Sequence, residues 1–385
     1  MKKLIIAVVL VLLGIYVWNK YGYLIQSVKN FPKITQVSLE PSDLASSSES
    51  DDSLSFLNIP SGYAISYFAN DVPGARSLAI GKNGIVYVST RGQGVVYALE
   101  DQNHDGQADK RYVVASGLNS PNGLSYHDGT LYVAEINRII KFSGIDESYD
   151  DKPGYDIVYG NLPKDTHHGW RYMALGPDDK IYLGIGAPCN TCEVSDPYGS
   201  IARLNLDGTG FEIVARGIRN TVGFDWNPED QSLWFTENGS DEMGEDAPVD
   251  ELNQVRDLGE HYGFPYCHAG NILDPKFGEG KNCLDYSSPS LPLSPHAAAL
   301  GMKFVDGKIL IAEHGSWNRK VPIGYRIMSV DINNGVASNY GVFVDGWLQD
   351  GKAKGRPVDI LPMSDKSILI SDDFSGSIYR LTQVK

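Results

Sequence analysis

Short apolar runs, separated by glycine- or aspartate-bearing turns, recur along most of this chain. In ARSLAIGKNGIVYVSTRGQGVVYAL (75–99) a strand of the type apolar-x-apolar leads through a polar turn into a second strand, and a third follows. The same theme returns in PNGLSYHDGTLYVAEINRIIKF (121–142) and in RYMALGPDDKIYLGIGAP (171–188) with GSIARLNLDG (199–208). It returns again in TVGFDWNPEDQSLWFTENG (221–239), in ALGMKFVDGKILIAEHG (299–315) with YRIMSVDI (325–332), and in PVDILPMSDKSILISDDFSGSIYRL (357–381). These are six copies of one strand-turn-strand unit, at spacings that suit propeller blades carrying long loops. Unbroken runs such as ILIA and ILIS fit strands packed on both faces. The stretch GYAISYFA (62–69) precedes the first copy and has no partner of its own, so it is expected to complete the last blade and close the ring. The pattern therefore predicts an all-β, six-bladed β-propeller over residues 55–385, as one domain whose long loops converge on one face.

The start of the chain breaks this pattern. Lys2 and Lys3 precede an apolar run from Leu4 to Trp18, which reads residues 1–20 as a signal anchor or signal peptide. No small-x-small site follows closely, and Tyr16, Trp18, Tyr21 and Tyr23 suit an interfacial belt. An uncleaved anchor is thus expected, with the rest exported to the periplasmic side of the inner membrane; the alternative is cleavage and a soluble periplasmic protein. Residues 21–54, ending in PSDLASSSESDDSL, read as a flexible tether.

Composition adds limits. Gly (41) and Tyr (22) are abundant among 385 residues, which favours an all-β fold. A formal net charge of −15 argues against a nucleic-acid partner, because phosphate contacts need clustered Lys and Arg. The four cysteines suit an oxidising compartment, with local disulfides Cys189–Cys192 and Cys267–Cys283 preferred over a four-cysteine zinc site.

Polar chemistry gathers at a few places in the repeats. THHGWR (166–171) offers an imidazole base beside a cation. The stretch 217–255 opens on Arg219 and Asn220 and ends in a loop rich in carboxylates, amides and glycine, of the kind that can give calcium its oxygen ligands. AEHGSWNR (312–319) and GRPVD (355–359) sit at corresponding places in their repeats, and Arg356 could reach an anionic ligand at the centre. DQNHDGQAD (101–109) resembles the first half of an EF-hand loop, with Asp101, Asn103, Asp105 and Asp109 as oxygen donors for a structural calcium. Its twelfth position is Tyr112, not Glu.

Taken in order, these segments resemble the soluble quinoprotein glucose/sorbosone dehydrogenase family over residues 60–381, with AEHGSWNR and APCNTCE closest to the L-sorbosone dehydrogenase branch. THHGWRYMALGPDDKIYLGIG looks like the family segment in which a His precedes an Arg by four, which makes His167 the candidate base, ahead of His168, with Arg171 beside it. GIRNTVGFDWNP is similar to the segment whose Arg and Asn, here Arg219 and Asn220, face the quinone. ENGSDEM with DELN looks like the calcium loop, its carbonyls falling on Gly239 and Ser240, with Asn238 and Asp250 beside the cofactor. GRPVD is similar to the segment that holds an Arg against a cofactor carboxylate, which would be Arg356 here. The chain departs from the glucose enzymes in two places: Val358 stands where they carry a second Arg, and the EHGSWNR segment lacks their Lys. His314 or Arg319 could supply the missing charge. The resemblance implies pyrroloquinoline quinone (PQQ) with calcium, a small sugar substrate, and an external electron acceptor such as a quinone or cytochrome. Two other readings fit a propeller: a calcium-dependent, lactonase-like hydrolase, and a membrane-tethered sensor that has lost its cofactor.

Overall fold

The computed structural model describes residues 39–44, 51–90 and 92–384. The expected anchor (1–20) and most of the expected tether (21–54) lie outside the described residues. Among the described residues no helix is long and apolar enough to cross a membrane.

Among the described residues six blades with antiparallel core strands form in chain order, and Glu260–His261 adds a parallel strand to the edge of the third. The first contains Ala75–Ile80, Val86–Thr90, Val96–Glu100 and Lys110–Ala115, and the second Leu124–His127, Thr130–Ala134, Ile139–Ser143 and Asp156–Tyr159. Blade 3 contains Met173–Leu175, Lys180–Ile185, Ser200–Asn205 and Glu212–Arg216, and blade 4 Phe224–Trp226, Leu233–Glu237, Glu251–Gln254 and Leu291–Pro292. Blade 5 contains Ala299–Val305, Lys308–Glu313, Arg326–Asn333 and Val336–Val344. In blade 6, Pro357–Pro362, Ile368–Asp372 and Ser377–Gln383 are joined by Tyr63–Ala69 from the other end of the chain, with Ile65 opposite Leu381. The stretch without a partner in its own repeat thus closes the ring, as expected.

Six apolar clusters, one per seam, explain why the second strands read as continuous apolar runs. Leu369 and Ile378 of blade 6 pack with Leu78 and Val86 of blade 1, and Tyr87 of blade 1 packs with Leu131 of blade 2. The same exchange joins Ile139 to Ile181, Tyr182 to Phe235, Trp234 to Ile309, and Leu310 to Ile370. A strand buried on both faces has no solvent side to alternate with.

Hydroxyl groups tie the inner rim. Ser371 Oγ donates to Arg76 O (2.5 Å), Ser89 Oγ to Asn122 O (2.6 Å) and Thr236 Oγ1 to Leu300 O (2.7 Å), each reaching from a second strand to the next blade. Register shifts at the starts of the innermost strands of blades 1, 5 and 6 leave backbone groups outside the ladders, and a buried carboxylate takes one of them: Leu78 N donates to Asp359 Oδ2 at 3.0 Å. Close approach of the blades requires glycine at position 223, where a Cβ would lie 2.1 Å from the Leu300 carbonyl oxygen.

Part of the expected tether is structured. Ser42–Asp43 adds a strand to the outer edge of blade 1, and Leu44 and Leu54 are buried in two of the seam clusters. Both expected disulfides, Cys189–Cys192 and Cys267–Cys283, are formed.

Candidate active site

In an antiparallel blade the innermost strand starts at the same end as the second strand finishes. Six blades therefore bring twelve such ends to one face. There the segments around Arg76, His168, Arg219, Asn238, His314 and Arg356 enclose a cavity of about 340 Å³. Trp170, Trp317, Val222, Ala298 and Leu300 supply its apolar wall.

Three guanidinium groups line it. Arg219 precedes blade 4 and is buried: Nη2 lies 2.7 Å from Asp241 Oδ2, and its backbone N–H donates to Glu237 Oε1 at 2.6 Å. Arg356 precedes blade 6, where Nε donates to His314 O (3.0 Å) and Nη2 to Gly315 O (2.6 Å), beside the Tyr325 ring. Arg76 stands in the innermost strand of blade 1. It is 2 % exposed, donates to Asn122 Oδ1 (3.1 Å) and Asp373 Oδ2 (3.0 Å), and lies over the Trp170 ring. Sequence reasoning missed Arg76. Superposing the repeats sets it against Val358 rather than Arg356, since Ala75 and Pro357 each pair with the last residue of their blade's second strand, so the two arginines do not share a repeat position.

His168, not His167, lines the cavity. His167 is exposed, its ring 4.1 Å from that of His168, centroid to centroid. His168 takes a left-handed backbone (φ 48°) that turns its ring inward, where Nδ1 lies 2.9 Å from the Ala187 carbonyl oxygen. A carbonyl can only accept, so Nδ1 carries the proton and Nε2 keeps the lone pair. Gly186 leaves room for this: a Cβ there would meet His168 Cβ at 2.5 Å and Asn220 Oδ1 at 2.8 Å. Burial, then the neighbouring Arg219 and His167, push the His168 imidazole down to about 2 from its ordinary 6.5. It is neutral across the physiological range.

The sign of this shift gives a stability test. A histidine held neutral in the fold contributes stability above pH 6.5 that is lost as the unfolded chain takes up its proton below that value. Urea unfolding from pH 7 to pH 4 is expected to shift the difference toward His168→Gln by about 1.4 kcal/mol for each pH unit below 6.5. A constant difference would contradict it.

The other expected residues divide. Asn220, Asn238, Gly239 and Asp250 line the cavity with Arg219 and Arg356. Asp250 accepts from Gly239 N (3.0 Å) with one oxygen and from Ala299 N (3.1 Å) with the other, so it fixes the loop's shape; burial raises it to about 7 against those two donors. Ser240 is fully buried behind Gly239 and is not part of the lining; its Oγ lies 3.5 Å from His268 Nδ1.

Arg171 and Arg319 are not cavity residues. Arg171 spends its guanidinium on the carbonyls of Ile136 (3.0 Å), Pro163 (3.0 Å) and His168 (3.3 Å), bracing the loop that presents His168. Burial lowers it to about 10. Arg319 pairs with Glu245 O and Asp246, strapping a loop outside the cavity. His314 does line it, with Nε2 donating to Asp373 Oδ1 at 2.8 Å. Burial, then Arg356, lower it to about 3 against the pull of Asp373. Val358, in the innermost strand of blade 6, is buried in the cluster that holds Val222 and Leu300 and is not itself part of the cavity lining. Arg76, not Arg319, brings the third guanidinium to the cavity lining.

The EF-hand-like loop turns its carboxylates on its own backbone. Asp109 Oδ2 accepts from Gln102 N (2.7 Å), Asp101 Oδ2 from Gly106 N (2.9 Å), Asn103 Oδ1 from Asp105 N and Asp105 Oδ1 from Gln107 N (both 2.8 Å). Among the described residues no three His, Cys, Asp or Glu side chains converge as a metal cluster.

Comparison with known proteins places this site in context. Residues 200–383 match a family model described as TrAA12-like, and residues 49–261 match one described as a domain of unknown function (DUF7133). An uncharacterized protein of Borreliella burgdorferi is 32% identical over 351 residues, covering 85% of this chain and 91% of the relative. A pyrroloquinoline quinone-dependent sugar dehydrogenase of Hypocrea jecorina is 21% identical over 295 residues, covering 66% of this chain and 67% of the relative. Among solved structures, the calcium structure of the Trichoderma reesei Carbohydrate-Active Enzymes family AA12 superposes with a TM-score of 0.77 at 20% identity, covering 85% of this chain and 97% of that one. The holo form of the pyranose dehydrogenase PQQ domain from Coprinopsis cinerea gives 0.74 at 17%, with the same coverage. These two show the fold.

Proposed function

We propose that this chain, which belongs to the family described as a domain of unknown function (DUF7133) and is similar to PQQ-dependent sugar dehydrogenases, oxidises a small sugar using PQQ and calcium. The observation that carries this is the donor set. Arg76, Arg219 and Arg356 line one small cavity together with a neutral imidazole whose Nε2 holds a lone pair. Three cations suit a polyanionic cofactor, and the cavity is of ligand size, with Trp170 and Trp317 available to flank a planar ring. A propeller hydrolase would instead call for carboxylates converging from several blades. Here Asp241 and Asp250 are spent on Arg219 and on backbone N–H groups.

The bound quinone and calcium would supply the two-electron acceptor and the Lewis acid that no side chain offers. The chain's own part starts with His168, which takes the substrate hydroxyl proton on Nε2; the Ala187 carbonyl holds Nδ1–H and so fixes the tautomer. Arg219, its guanidinium held by Asp241 and Asn190, would face the reacting oxygens as a fixed donor. Asn220, Asn238, Arg76 and Arg356, which line the cavity, would hold the anionic and carbonyl edges of the cofactor. Gly239, which lines the cavity, would offer its carbonyl to calcium, with Ser240 next to it as the further candidate, and Asp250 fixes their loop. The AEHGSWNR and APCNTCE segments support a substrate related to sorbosone. Export with membrane anchoring, and electron transfer to an external quinone or cytochrome, complete the reading.

The test is direct. The protein is incubated with PQQ and calcium, and an aldose is added. A bound-quinone absorption spectrum that bleaches with the sugar is expected. No saturable change on adding PQQ would overturn the reading.

A further inference from the structure

Between the two cysteines of the Cys189–Cys192 bridge stands Asn190, which is not part of the cavity lining but touches two residues that are. Arg219 Nε donates to the Asn190 carbonyl oxygen at 2.9 Å and Arg219 Nη2 donates to Asn190 Oδ1 at 2.8 Å. The same Oδ1 accepts from Asp241 N at 2.9 Å, and Asn190 Nδ2 donates to Asp241 O at 3.0 Å. Arg219 Nη2 in turn reaches Asp241 Oδ2 at 2.7 Å, closing a ring of three residues from three separate segments. One residue thus presents two oxygens to the edge of a guanidinium, the geometry that fixes its plane as well as its position. Without Asn190, Asp241 would still hold Nη2 and the Asn238 carbonyl Nη1 (3.2 Å), but Nε would lose its acceptor and Nη2 one of its two, leaving that edge of the guanidinium less fixed.

We propose that Asn190 is a positioning residue for Arg219, and that the Cys189–Cys192 bridge presets its backbone so that its carbonyl and Oδ1 face the guanidinium together. This rests on the reading of Arg219 as a wall of the cofactor cavity. The bridge thereby gains a role in ligand affinity, one reached through Asn190 rather than by contact.

PQQ affinity is measured by absorbance titration with calcium present, for wild type, Asn190→Ala, Asn190→Asp, Arg219→Lys, the Asn190→Ala/Arg219→Lys pair and Cys189→Ser/Cys192→Ser. Loss of hydrogen bonds to a charged group is expected to weaken PQQ binding about 10- to 100-fold in Asn190→Ala. Asn190→Asp, which still accepts from Arg219, recovers part of the loss. The serine pair shows the same defect. In the Arg219→Lys background Asn190→Ala adds less than about twofold, since residues acting through one contact are not additive. Independent, multiplying effects of Asn190 and Arg219 overturn the proposal, as does an unchanged affinity in folded Asn190→Ala. If Asn190→Ala does not fold, Asn190→Asp and the serine pair carry the same comparison. If wild type binds no PQQ, the quinone reading falls, and the Arg219 Nε–H resonance of the protein decides the positioning role. Its shift or loss in the Asn190 variants supports that role; an unmoved resonance ends it.

Discussion

Replacing His168 by alanine is expected to lower sugar turnover by about 10²- to 10⁴-fold, the usual worth of a positioned base. His167→Ala is expected to stay within about twofold of wild type. The ranking follows from geometry. His168 lines the cavity with Nδ1–H committed to the Ala187 carbonyl, whereas His167 is exposed outside the lining. PQQ affinity should change little in either variant, since no charge is removed from the wall. Steady-state turnover with a dye acceptor, beside a PQQ titration, checks both halves. Turnover lost in His167→Ala and kept in His168→Ala would reverse the assignment.

The sequence narrowed the proposed base to two adjacent residues and ranked them by spacing to Arg171. What decides between them is a backbone angle. The left-handed conformation at His168 turns its ring inward, and the bare Gly186 opposite makes the space. Neither is legible from residue types, because a non-glycine residue at positive φ is uncommon and nothing local requires one at His168. Arg171 was misplaced for a related reason. Beside a cavity a buried arginine can face the ligand or spend its donors on backbone carbonyls, and three carbonyls within 3.3 Å settle it as a brace.

The architecture was more legible, because a propeller repeats its signal. Turn-led strand pairs recur six times, and the partnerless stretch at 62–69 has one place to go in a closed ring. The short strand Ser42–Asp43 was hidden in a Ser- and acid-rich segment, where only Leu44 carries an apolar hint. The calcium-like loop at 101–109 shows the limit of residue spacing: Asp, Asn and Gly at metal spacing also suit side chains that accept from their own backbone N–H groups, as they do here.

Arg76→Gln is expected to weaken PQQ binding by about 30-fold to several thousand-fold, the effect of truncating one partner of a buried, hydrogen-bonded charge pair (2–5 kcal/mol). Glutamine retains an amide that can still reach Asn122 or Asp373, so the fold keeps a polar partner while the wall loses its cation. If the Arg319 and His314 expected from the sequence supplied the cofactor's counter-charge, Arg76 would matter little. The structure argues otherwise, because Arg319 is strapped to Glu245 and Asp246, and burial beside Arg356 keeps His314 neutral. A second measurement reads the same charge without any ligand. Arg76 is one of the groups that depress His314, and its removal leaves Asp373 pulling the other way. The His314 imidazole of the variant should therefore titrate higher than in wild type, seen in the pH dependence of its ring resonances. An unmoved His314 together with unchanged PQQ affinity would show that Arg76 serves the seam between blades 6 and 1 rather than the cavity.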